Sequence, residues 1–251
     1  AEDDSGNGSG PCAGGNEDTN SAELAAMPTG PDTVFFADDL ESGDSNWVAE
    51  PGPMDTGASN PWYLVETDYH SATHAFFVQN QSGMVKDQLL RMANPADLTG
   101  AASGVLEFWH RYHTEDGFDG GVLEYSVDGG ATWHDILAGD GGSIPADPNR
   151  FVLGGYTGTL GSGAGQPMPG RDAWTGDNGD WEEVVVDLTD FAGETVHFRW
   201  RFGNDTIIAG VGWWVDDVRV IQGSSCDTAG SLIFADGFES GDTGMWGSVT
   251  P

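Results

Sequence analysis

The sequence is short of cations. Eight lysine and arginine residues stand against 41 aspartate and glutamate residues, a formal net charge of −33 over 251 residues. A chain so charged repels phosphate backbones and anionic lipid, which excludes nucleic acid as a partner and attachment to such membranes. Long apolar runs are missing as well. None approaches the roughly 18 residues of a transmembrane helix, so no membrane insertion is expected. No segment has the periodicity of a convincing amphipathic helix. No Ser/His/Asp or Cys/His grouping sits in a diagnostic motif, and the expected protein is not an enzyme. Paired carboxylates abound, but in so acidic a chain they say almost nothing about glycosidase chemistry. There are only two cysteines, Cys12 and Cys226. They lie just outside the central block, and if that block brings its ends together, a disulfide between them would clasp the two tails; two free thiols are the alternative.

Short strands and turns are plentiful. Glycine (39 residues) and proline (12) punctuate the chain, while 38% hydrophobic and 11% aromatic residues supply a core. Residues 1–32 are acidic and Gly-rich and read as a tail. Residues 33–222 read as one all-β domain, and 223–251 as a second tail. Strands are expected over Thr33–Leu40, Trp62–Glu66, Ala75–Gln79 (paired with the one before), Lys86–Met92, Val105–His113, Val122–Val127, Trp133–Ile136, Trp181–Leu188, Thr195–Phe202 and Gly212–Gln222. VLEFWHRYH alternates cleanly, with Leu106, Phe108, His110 and Tyr112 on one face. Asp128-Gly129-Gly130 is a hairpin turn, because glycine supplies the positive φ that such turns need. Ala138–Asp180 is expected to be a long loop, anchored to the body by Trp174.

The organising stretch is GWWVDDVRVIQ, in which Asp216 and Asp217 interrupt an apolar strand. Buried carboxylates require hydrogen bonds, a cationic partner or a metal. The opening strand, TVFFADDLESG, is its expected neighbour. That pairing would bring Asp38, Asp39, Glu41 and Asp44 towards Asp216 and Asp217, with a hard cation such as Ca²⁺ between them. A second oxygen-rich segment is TEDGFDGG, where Glu115, Asp116 and Asp119 offer another possible metal site without full EF-hand spacing; a solvated turn is the other reading.

EFWHRYHTEDGFDGGVLEYSVDGGATW, MPGRDAWTG, DLTDFAGETVHFRWRFGND and GWWVDDVRV, in that order, resemble the jelly-roll accessory domain downstream of secreted bacterial metallopeptidases of the immune inhibitor A type. That module is itself similar to MAM domains. The resemblance covers about Val34 to Ile221 and implies a calcium-stabilised, two-sheet antiparallel jelly-roll sandwich. It carries the metal site onto Glu41 and Asp216 or Asp217. No H-E-x-x-H occurs, so the peptidase part is not in this chain.

The tail Leu232–Trp246 (LIFADGFESGDTGMW) repeats Val34–Trp47 (VFFADDLESGDSNW). It also resembles short terminal segments of exported proteobacterial proteins. The repeat leaves Ile233, Phe234, Phe238 and Trp246 without a sandwich of their own, which makes the tail a candidate strand for docking on another copy. The first functional reading is therefore an extracellular or cell-surface structural or adhesive subunit, processed from a signal-bearing precursor. It would self-assemble through its terminal segments into a homopolymer such as a filament. The alternative is a carbohydrate- or substrate-binding accessory module of an extracellular hydrolase, with extracellular polysaccharide as the partner. For that alternative a polar strand face with Trp109 as platform is one candidate, and whichever of Trp213 and Trp214 is exposed is another. The histidines are expected to be structural.

Overall fold

The computed structural model describes residues 33–56 and 61–222. These form β1 (Val34–Asp38), β2 (Trp47–Pro51), β3 (Tyr63–Val65), β4 (Ala75–Gln79), β5 (Lys86–Met92), β6 (Ala96–Asp97), β7 (Val105–His113) and β8 (Gly120–Ser126). They continue with β9 (His134–Asp135), β10 (Phe151–Leu153), β11 (Gly158–Thr159), β12 (Asp172–Thr175), β13 (Glu182–Asp187), β14 (Thr195–Asn204) and β15 (Gly212–Ile221). One 3₁₀ turn covers Thr189–Phe191. No helix among the described residues is long and apolar enough to cross a membrane.

The strands make a two-sheet antiparallel jelly-roll sandwich. The first sheet runs β10-β13-β7-β15-β4-β3, with β1 also paired to β15; the second runs β11-β12-β8-β14-β5-β2, with β6 on β14 and β9 on β8. In β7 and β14 alternate residues turn inward, Leu106, Phe108, His110 and Tyr112 from one and Val196, Phe198, Trp200 and Phe202 from the other. Aromatic rings fill the space between the sheets edge-on, with centroids 5.5 Å apart for Trp47–Trp200 and 5.2 Å for Phe108–Trp200. Such pairs add about 0.5–1.5 kcal/mol each to the burial of their area. Gly121 has no alternative at its place, because a Cβ there would collide with the ring of Trp213.

The opening and closing strands are neighbours, with Val34 opposite Ile221 and Asp38 opposite Val218. β15 changes partner along this edge. Gly212–Val215 pair with β4, Val218–Ile221 pair with β1, and the register shifts between Asp216 and Arg219. Asp217 takes φ +50° at the shift, a left-handed conformation that aspartate tolerates better than most residues.

Three expectations are corrected. The segment Ala138–Asp180 is not a plain loop: it contains β10, β11 and β12 and buries Ile144, Leu160, Met168 and Trp174. Its strands are too short to show a period. Trp174 does anchor it, lying in the core and donating from Nε1 to Gly154 O at 2.8 Å. Trp133–Ile136 shrinks to the two residues of β9, since Trp133 turns back to donate to Gly130 O at 3.1 Å. The strand Trp47–Pro51 was not expected, and it closes the second sheet on β5. The two tails, and with them Cys12, Cys226, Ile233, Phe234, Phe238 and Trp246, lie outside the described residues.

Candidate functional site

The outer face of the second sheet collects four of the eight lysine and arginine residues. Alternation on β14 sends His197, Arg199 and Arg201 outward. The register sets Arg91 of β5 and Glu124 of β8 on either side of Arg199. Arg171 joins from the segment before β12. Arg199 Nε donates to Glu124 Oε2 at 2.5 Å, and Arg171 binds both Glu124 and Asp135, the latter at 2.6 Å. Arg201 grips Asp87 with two bonds, 2.7 and 2.9 Å, and Arg91 Nε donates to Glu50 at 3.0 Å. Burial alone would raise the Glu124 carboxyl. The guanidiniums of Arg171, Arg199 and Arg201 overcome this and hold it below its ordinary value.

Trp133 projects from the Asp128–Thr132 turn onto this face. The guanidinium carbon of Arg199 lies 4.2 Å from the centre of its ring, within cation–π range. Glu50, Arg91, Gly129, Gly130, Trp133 and His197 line a concavity of about 240 Å³. It is smaller than the roughly 300–1,000 Å³ of pockets that enclose a small ligand. Burial, and then the charge of Arg91, push His197 below the ordinary histidine range.

On the first sheet the tryptophans expected as contact residues are covered. Trp109 is covered by the ring of His70, stacked at 3.8 Å and 8°. Trp213 is in the core, and Trp214 packs on Phe77 at 4.5 Å with Arg111 at 5.7 Å from its ring. Neither is exposed, which removes the pair as contact residues.

Two groups of carboxylates remain. In the first, Asp216 accepts from the N–H groups of His70 (2.8 Å), Ser71 (3.1 Å) and Asp217 (2.7 Å). Asp217 meets His70 Nδ1 at 2.6 Å and Ser71 Oγ at 2.7 Å. Glu41 takes Thr73 Oγ1 at 2.5 Å and the N–H of His74 at 2.9 Å. All six oxygens thus face protein donors. Burial and the adjacent Asp217 nevertheless push Asp216 up to about 7. Asp38 is spent on its own turn, accepting from Leu40 N, Asn46 Nδ2 and Trp47 Nε1, and Asp44 is exposed.

The second group joins Glu115 and Asp119 to Asp205, a residue 86 positions beyond Asp119. One oxygen from each lies within 4.8 Å of the others. Asp116 is exposed and outside this ring. Asp119 accepts from Asp205 N at 2.8 Å and Asn80 Nδ2 at 2.9 Å. Burial, followed by the charges of Asp205 and Glu115, raises it to about 7.

No family model and no curated protein matches this sequence. Among solved structures it is similar to TmCBM61 in complex with β-1,4-galactotriose, at 13% identity over 74% of this chain and 94% of that one, TM-score 0.44. It is also similar to the K1 cleaved adhesin domain of Lys-gingipain from Porphyromonas gingivalis W83, at 14% identity over 78% and 100%, TM-score 0.44. A third is the C-terminal family 22 carbohydrate-binding module of Clostridium thermocellum Xyn10B, at 8% identity over 76% and 96%, TM-score 0.43. Likeness at this level concerns the sandwich and assigns no site.

Proposed function

We propose that residues 33–222 form a non-catalytic, extracellular binding module that takes an uncharged polysaccharide on the outer face of its second sheet. The observation that carries this is the open concavity built by Trp133, Arg91, His197 and Glu50. An aromatic edge beside fixed polar groups suits a sugar ring, which presents apolar C–H faces and hydroxyl edges. Charge decides the class of polymer. On this face four arginines meet four carboxylates, Glu50, Asp87, Glu124 and Asp135, so the face is locally balanced, while the chain as a whole is at −33 and repels polyanions. The supporting polar groups are preorganised by their ion pairs, which lowers the entropy lost on binding.

Affinity electrophoresis and calorimetry against a panel of neutral and acidic polysaccharides test the reading. Neutral polymers are expected to bind, and Trp133→Ala to weaken binding at least about tenfold. Equal binding by Trp133→Ala, or preference for acidic polymers, would sink it.

A further inference from the structure

The Glu115–Asp119–Asp205 group is answered only in part: Asp119 accepts from Asp205 N and Asn80 Nδ2 and Asp205 from Ile207 N, but oxygens at the site are left over. Asp119 is 0% exposed, Asp205 2% and Asn80 3%. Among the described residues no lysine, arginine or histidine pairs with any of the three carboxylates. Two oxygens at the site are buried with no hydrogen-bond partner, Glu115 Oε2 and Asn80 Oδ1. The Asn80 amide abuts the group, since its Nδ2 is the donor to Asp119. An unpaired buried oxygen costs about 1–3 kcal/mol, and adjacent buried carboxylates repel one another. Both defects fall at one point of the molecule.

We propose that Glu115, Asp119, Asp205 and the side-chain oxygen of Asn80 bind one Ca²⁺. The donors are all oxygen, which selects a hard cation over zinc or copper. Carboxylate oxygens within 4.8 Å of one another match two Ca–O bonds of about 2.3–2.6 Å across a shared ion. Mg²⁺, with bonds of about 2.0–2.1 Å in a strict octahedron, would require the ring to contract. The amide of Asn80 needs only to rotate to exchange its nitrogen for its oxygen, and the two ends of an amide are assigned from their partners.

The site joins three connections at one end of the sandwich. Asn80 follows β4, Glu115 and Asp119 lie between β7 and β8, and Asp205 follows β14. Backbone bonds already bring these connections together, Asn80 N to Val211 O at 3.1 Å and Gly83 N to Thr206 O at 2.9 Å. The ion would lock them.

The test uses the full chain stripped with chelator, with CaCl₂ as the titrant, followed by calorimetry and by thermal melting. Saturable uptake and a higher melting temperature are expected. Asp205→Asn keeps the acceptor for Ile207 N and should weaken uptake at least tenfold, while Asn80→Ala, which retains all three carboxylates, should weaken it less. Asp216→Asn reports on the other carboxylate group and should leave this uptake in place. No uptake by the stripped protein, or uptake by Asp205→Asn equal to that of the parent, overturns the assignment. Should Asp205→Asn fail to give the parent's near-ultraviolet dichroism, Asn80→Ala alone decides, and unchanged affinity there removes Asn80 from the site.

Discussion

The two carboxylate groups have similar composition and opposite accounting. Around Asp216, Asp217 and Glu41, a loop carrying His70, Ser71, Thr73 and His74, together with the N–H of Asp217, supplies a donor for every oxygen. Around Asp119, Asp205 and Glu115 the protein supplies few donors and leaves two buried oxygens alone. Counting acidic residues would rank the first group higher. Counting unanswered oxygens ranks the second. A cluster of carboxylates therefore indicates a metal only after its hydrogen bonds have been subtracted.

The comparison is sharpened most by a third buried carboxylate that cations already answer. Glu124→Ala leaves Arg171, Arg199 and Arg201 without their shared partner, and urea unfolding should show a loss of about 3–5 kcal/mol. A loss near zero would mean that ion pairing on this face contributes nothing, and that the absence of pairs at Asp119 is no defect either.

A buried base gives the next contrast. His110 is fully enclosed between the sheets, and burial holds it down at about 3. Its folded value lies below its unfolded one, so the unfolded chain binds the extra proton as pH falls below about 6.5, and stability drops. By pH 5 the loss should be about 2 kcal/mol, and His110→Phe should flatten that part of the profile. An unchanged profile in the variant assigns the acid sensitivity elsewhere.

The smallest effect breaks the comparison directly. His70→Ala removes one donor from Asp217 and the ring stacked on Trp109, at a cost of about 1 kcal/mol or less. That loss should be the same with chelator and with Ca²⁺. If Ca²⁺ erases it, an ion substitutes for the donor and the two groups are alike after all.

Much of the sandwich was legible in the sequence, because β7 and β14 alternate inward and outward along most of their length and the Asp128-Gly129-Gly130 turn announces itself. β10, β11 and β12, of two to four residues, carry no period to read. The neighbourhood of β1 and β15 followed from their shared acidic pattern, but whether donors or a metal answer those acids depends on a loop whose YHSATH gives no hint of its fit. Asp205 was out of reach: it reaches Asp119 only through the pairing of β14 with β8. Trp133 could have been noticed, since it stands just after the hairpin turn.

The register at the edge of the first sheet has a mechanical meaning. Val34 lies opposite Ile221, so both ends of the sandwich leave from the same side, and Gly212 begins β15 at the other. A pull on the two ends loads the β1–β15 ladder one pair at a time, as a zipper opens, and does not shear all its bonds together. The Asn80, Asp119 and Asp205 loops lie at the end of the sandwich farthest from such a load. Strain applied through the chain ends would strip β1 from β15 as far as Asp38 and reach the Asp216–Asp217 shift before it reached those loops.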